Sequence, residues 1–155
     1  LLQTAGFQCR VLNKGYKPFR HWALNQFQKK YYFIVLGGFT GSGKTDLLIQ
    51  LKRQNEQIID FEEIAMHQGS SFGHLGFAQQ PSSEHFENIL AWNLSQYNPE
   101  LPIWIEDESR MIGTCCTPQD LWSQKAQASV YGLNVPKKSL SNDCFKTMGI
   151  IQRKI

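Results

Sequence analysis

Eight consecutive residues, Gly38-Phe39-Thr40-Gly41-Ser42-Gly43-Lys44-Thr45, have the types and spacing to hold a phosphate. They match GxxxxGK[ST], the P-loop pattern. Glycines let the backbone curl so that successive N–H groups converge on one anion, and the start of a following helix adds partial positive charge. Lys44 can reach a terminal phosphate, and the Thr45 hydroxyl can ligate Mg²⁺. The ligand class is a nucleotide, such as ATP or GTP, or another diphosphate. A glycine-rich turn that binds nothing is the competing reading. An apolar run before the motif and an amphipathic pattern after it favour the phosphate, because that is the context the motif requires.

A second chemical signal is Ile103-Trp104-Ile105-Glu106-Asp107-Glu108, an apolar run ending in carboxylates, which is the pattern of a Walker B segment. A carboxylate ending the strand beside a P-loop can hold Mg²⁺ or its waters. Asp107 and Glu106 are the candidates; strand register decides between them, and Asp107 is taken first as the catalytic carboxylate beside Lys44. Asp60 and Glu62 end another strand-like run, where a group can face a second substrate, and Asp60 is the candidate there. Arg110 is the only arginine between Arg53 and Arg153, hence the guanidinium candidate for the phosphates. His67, His74 and His85 form no known metal-binding spacing. Cys9, Cys115, Cys116 and Cys144 include no CxxC pair and read as structural thiols in a reducing, cytoplasmic setting.

These groups need strands and helices to place them. Strand character marks residues 31–36, 57–61, 102–105 and 129–135, and the first of these, Tyr-Tyr-Phe-Ile-Val-Leu, lacks alternation, as a strand buried on both faces should. Helical patterns cover 44–54, 83–97 after a Ser-Ser-Glu cap, and 118–128, with Thr117 as N-cap and Pro118 first in the helix. Alternating strands and helices predict an α/β fold, a P-loop NTPase-like, mostly parallel, doubly wound sheet. The glycine-containing stretch 67–82 has no period and reads as a ligand loop. Upstream, 1–7 reads as helix, 9–12 as a short strand, 13–17 as a turn and 18–22 as a helix start, with a basic linker at 25–30. The chain therefore reads as a fragment: a remnant of one domain (1–24), a linker (25–30), a P-loop domain (31–136) and a divergent or truncated tail (137–155).

Bulk composition agrees with one folded domain. Of 155 residues, 41% are hydrophobic and 19% charged, which excludes disorder. No apolar run approaches the ~20 residues of a membrane helix. The net charge of +3 is concentrated in Lys14, Lys17, Arg20, Lys29 and Lys30 at one end and Lys137, Lys138, Lys146, Arg153 and Lys154 at the other. Such basic ends suit RNA phosphates or are solvated surface.

Together the motifs resemble one family, the bacterial tRNA 2-selenouridine synthases, which join a rhodanese-like domain to a P-loop domain. The resemblance rests on Gly15-Tyr16-Lys17-Pro18-Phe19-Arg20, on the P-loop, on His67-Gln68-Gly69-Ser70-Ser71-Phe72-Gly73, on Gln80-Pro81-Ser82 followed by Phe86-Glu87, and on Glu106-Asp107-Glu108-Ser109-Arg110-Met111-Ile112-Gly113. It implies a rhodanese-like remnant in 1–24. It also implies a transferase that geranylates wobble 2-thiouridine in a tRNA anticodon loop from geranyl diphosphate, then installs selenium from selenophosphate. On this reading Lys44, Mg²⁺ and Arg110 stabilise departing pyrophosphate. Phe72, Leu75 and Phe77 line a slot for the geranyl chain, with Ser70 and Asp60 also facing substrate. The family's reactive rhodanese cysteine has no counterpart here, so selenium transfer by this chain alone is not expected. The lysines of 25–30, with Lys14, Lys17 and Arg20, would follow the tRNA backbone. Two other readings remain open: a small-molecule or nucleoside kinase, and a non-catalytic tRNA-binding module.

Overall fold

The run Tyr-Phe-Ile-Val-Leu-Gly forms strand β1 (Tyr32–Gly37), in which every residue after Tyr32 is buried. This is the burial expected of a strand covered on both faces. It is seen in a computed structural model that describes residues 3–9, 12, 14–39, 41–67, 79–134 and 149–153. β1 lies between β3 (Pro102–Glu106) and β6 (Ser129–Asn134), and β2 (Gln57–Ile59) lies outside β3, all four parallel in the order β2-β3-β1-β6. A fifth strand, β7 (Gly149–Arg153), runs antiparallel beside β6.

The pleat sorts the strand residues between two faces. Phe33 and Val35 pair in register with Ile103 and Ile105, and Ile59 pairs with Ile105. This face packs against α1 (Tyr16–Phe27), α3 (Phe61–Ala65), α4 (Ser83–Gln96) and α5 (Gln119–Ala126), which bury Ala23, Phe27, Ile64, Phe86, Leu90 and Leu121 in one core. Each fully buried Phe or Leu contributes roughly 1.5–3 kcal/mol. Leu36 and Ile58 belong to the smaller cluster on the other side, where they meet Leu48 of α2 (Lys44–Arg53), flanked by Trp104 and Tyr131.

Polar contacts fix the helices on this frame. The Tyr16 hydroxyl donates to Glu84 Oε1 at 2.6 Å and accepts from Asn88 Nδ2 at 2.7 Å. Arg20 pairs with Glu87 and donates to Asn88 Oδ1 at 2.9 Å. Ser82 caps α4 by accepting from the His85 N–H at 3.2 Å, the expected cap.

Several expectations are corrected. Residues 3–6 form a turn closed by Gly6 N–H to Gln3 C=O, 3.1 Å, rather than part of a helix, and Cys9 and Leu12 belong to no strand. The helix after the turn begins at Tyr16 and runs through Phe27, so Asn25, Gln26 and Phe27, read as linker, are its last turn. Burial of Gln26 and Phe27 explains the extension. Phe61 opens α3 instead of ending β2, because Asp60 caps a helix there. Pro118, not Thr117, occupies the N-cap position of α5; Thr117 is buried. Within 137–155, read as a divergent or truncated tail, β7 adds an edge strand to the sheet.

Candidate functional site

The site is built at the carboxyl ends of β1 and β3. Gly38 follows β1 with φ +155°, and a Cβ there would lie 2.7 Å from Ser42 Oγ and 3.5 Å from Leu133. Gly43 is the left-handed N-cap of α2, φ +85°, a conformation costly for residues with side chains. Ser42 N–H closes a turn onto Phe39 C=O at 3.0 Å. The first N–H groups of α2 have no partner within the helix, and this is the donor set that an anion takes. They border a pocket of about 240 Å³ lined by Gly41, Gly43, Lys44, Thr45 and Asp46.

Inside this loop Lys44 donates to the carbonyls of Gly38 at 3.0 Å and Phe39 at 3.3 Å. Its ammonium is thus held at the loop by weak, exchangeable partners. Ser42 Oγ is buried and has no hydrogen-bond partner among the described residues. A phosphate oxygen would satisfy both groups, since each is a donor.

Register brings a carboxylate to the same edge. Glu106 pairs with Leu36, the penultimate residue of β1, and its Oε1 accepts from the Thr45 hydroxyl at 3.0 Å. Burial raises the Glu106 carboxyl above its ordinary range; the Thr45 hydrogen bond lowers it, Asp60 and Glu108 raise it further, and Lys44 lowers it. Glu108 is also raised, chiefly by burial, against the pull of Lys125 and Lys44. Among the described residues no group of three or more His, Cys, Asp or Glu is placed to hold a metal. Mg²⁺ does not require one: it keeps waters and takes phosphate oxygens with one or two protein oxygens. The Thr45 hydroxyl and the Glu106 carboxylate are hard oxygen donors of that kind.

Asp107 is disposed differently. Its N–H donates to Leu36 C=O at 3.0 Å, while its largely exposed carboxylate lies 3.8 Å from Lys125 Nζ. The register thus brings Glu106, rather than Asp107, against Thr45. Asp60 is engaged as the cap of α3, accepting from Glu63 N–H at 2.8 Å, although its charge is felt at Glu106. Arg110 is not brought to the P-loop pocket. It sits at the start of a small hairpin of β4 (Met111–Ile112) and β5 (Cys115–Cys116), its Nε donates to Thr117 C=O at 3.2 Å, and it lines a separate cleft of about 370 Å³ with Glu87, Cys116 and Asp120. Thr40, Ser70, Phe72, Leu75 and Phe77 lie outside the described residues. Of the cations expected to follow RNA, Arg20 is paired with Glu87, and Lys29 donates to Gln26 Oε1 at 2.7 Å.

Two participants escape sequence reasoning. Glu108 and Lys125 meet only because α5 packs beside the turn after β3, and no spacing in the chain announces that. Among the described residues no helix is long and apolar enough to cross a membrane.

Residues 31–146 match the family model described as tRNA 2-selenouridine synthase AAA domain. The tRNA 2-selenouridine synthase of Aeromonas salmonicida (strain A449) is 39% identical over 141 residues, covering 88% of this chain and 37% of that protein. That of Salmonella typhi is 40% identical over 135 residues, 83% of this chain and 35% of that protein. That of Shewanella sediminis (strain HAW-EB3) is 35% identical over 146 residues, 91% and 38%. The chain thus spans little more than a third of the length of these curated relatives. No solved structure matches it significantly.

Proposed function

We propose, because this chain belongs to the tRNA 2-selenouridine synthase AAA domain family, that it is the diphosphate-binding part of a tRNA-modifying transferase. The observation that carries the reading is the convergence of Lys44, Thr45 and Glu106 on one pocket at the start of α2. The P-loop amides and Lys44 would hold the terminal phosphates, and Thr45 with Glu106 would hold a divalent cation beside them. Mg²⁺, when bound, would supply charge neutralisation of the leaving diphosphate.

The family resemblance makes geranyl diphosphate the preferred ligand and a wobble 2-thiouridine the acceptor, with selenophosphate serving a later step. Heterolysis of an allylic C–O bond needs the departing pyrophosphate stabilised. Fixed N–H donors and an ammonium suit that task, because their orientation costs nothing during the reaction. Of the sequence-derived candidates, Lys44 keeps its role here, Glu106 takes the metal-side role before Asp107, and Arg110 is left without a phosphate contact.

Calorimetric titration of the chain with geranyl diphosphate, ATP and GTP, each with Mg²⁺, tests the reading. Tighter binding of geranyl diphosphate supports the transferase. Tight binding of ATP or GTP with no response to geranyl diphosphate turns the reading toward a kinase.

A further inference from the structure

Of the lysines and arginines among the described residues, Lys125 is the one that is buried. Removing an ammonium from water costs several kcal/mol unless partners replace the lost hydration. The partners are specific. Lys125 Nζ donates to the Glu108 carbonyl, lies 3.8 Å from Asp107 Oδ1, and stands 5.1 Å from the centre of the Trp122 ring, one turn earlier on α5. Glu106, Asp107 and Glu108 all act on it electrostatically, against a burial that favours the neutral amine. The turn after β3 is held from the other side by Asp107 N–H to Leu36 C=O.

The placement answers a question that the acidic run raises. Glu106 ends β3 and two more carboxylates, Asp107 and Glu108, follow it at once, yet a P-loop cation needs only one or two protein oxygens. Asp107 is turned to Lys125, and Glu106 is left against Thr45. Lys44 cannot settle this division, because on the present reading it turns to the phosphates when ligand binds. Lys125 is on a different element and lines no part of the P-loop pocket, so its contacts persist.

We propose that Lys125 is a positioning residue of the phosphate site: its ammonium fixes the turn after β3 and draws the Asp107 carboxylate aside, so that Glu106 serves Thr45 and the divalent cation. The inference rests on the metal-assisted diphosphate binding proposed above.

Its test uses inorganic pyrophosphate as the probe, titrated by calorimetry with and without Mg²⁺. Lys125→Met keeps the aliphatic stem, Lys125→Gln keeps a donor without the charge, and Lys125→Arg keeps the charge. Lys125→Met and Lys125→Gln should reduce the gain in affinity conferred by Mg²⁺ about tenfold, the usual size of an indirect metal-ligand defect, while leaving metal-free binding unchanged. Lys125→Arg should retain most of the gain. If Lys125→Met fails to fold, Lys125→Gln and Lys125→Arg still separate charge from packing. Equal losses with and without Mg²⁺, or no loss in either, overturn the proposal. A wild-type protein that binds pyrophosphate with the same affinity in either condition overturns the metal role itself, and one that binds none overturns the phosphate reading as well.

Discussion

The loop after β1 and the turn after β3 end neighbouring strands, yet their polar groups are held in opposite ways. In the P-loop, Lys44 rests on two carbonyls of its own loop, and Ser42 Oγ has no partner among the described residues. In the acidic turn the Asp107 N–H is bound to β1, the Glu108 carbonyl accepts from Lys125, and Glu106 accepts from Thr45. The first region offers donors that a ligand can take over; the second presents the Glu106 carboxylate already hydrogen-bonded, on a turn whose backbone is held at Asp107 and Glu108. A phosphate site needs both, because an anion is gripped by donors that can be released to it, whereas a cation is placed by ligands whose geometry is set beforehand.

Mutations separate the two regions, beginning with the largest effect. Ile105→Ala removes a fully buried side chain directly before Glu106 and should destabilise the fold by about 2–5 kcal/mol, read from urea denaturation. A loss well under 1 kcal/mol would mean that β3 does not hold the acidic turn rigidly. Lys44→Ala should leave stability nearly unchanged, because its ammonium contacts only loop carbonyls, but should weaken diphosphate binding by about 1.5–3 kcal/mol. Calorimetry on the folded variant checks this, and unchanged affinity would remove the P-loop from the account.

The smallest effect is also the most diagnostic of the fixed region. The Glu106 carboxyl is raised in the folded chain, so the native state holds that proton more tightly than the unfolded one. Stability should therefore fall as pH rises from the ordinary carboxylate range through the raised value. Glu106→Gln removes that penalty, so it should melt higher than the wild type at neutral pH, with the difference shrinking on acidification, while losing Mg²⁺-dependent binding. A variant less stable at neutral pH would show that the Thr45 hydrogen bond outweighs burial.

The same contrast explains what was legible in the sequence. The P-loop can be read directly because its chemistry is local: glycines at φ +155° and +85°, then Lys44 and Thr45, all within eight residues. Strand β1 and helices α2 and α4 follow from apolar runs and caps of the same local kind. The acidic turn is only half legible. Three consecutive carboxylates are visible, but the choice of Glu106 depends on its register with Leu36, and Lys125 arrives from another element. Arg110 stands out by its rarity, which says nothing of direction, and its bond to the Thr117 carbonyl decides where it lies. Helix α3 goes unannounced because its five residues are too few to display a helical period. β7 is not legible because an edge strand pairs on one side only and its partner is set by the fold.

The most direct measurement of the central claim is an amide chemical-shift map of the ¹⁵N-labelled protein titrated with pyrophosphate and Mg²⁺. The account predicts that the largest saturable changes fall on the N–H groups of Gly41, Ser42, Gly43, Lys44, Thr45 and Asp46, with the Glu106 region following only when Mg²⁺ is present. Changes centred instead on Arg110, Cys116 and Asp120, or no saturable change at all, would contradict it.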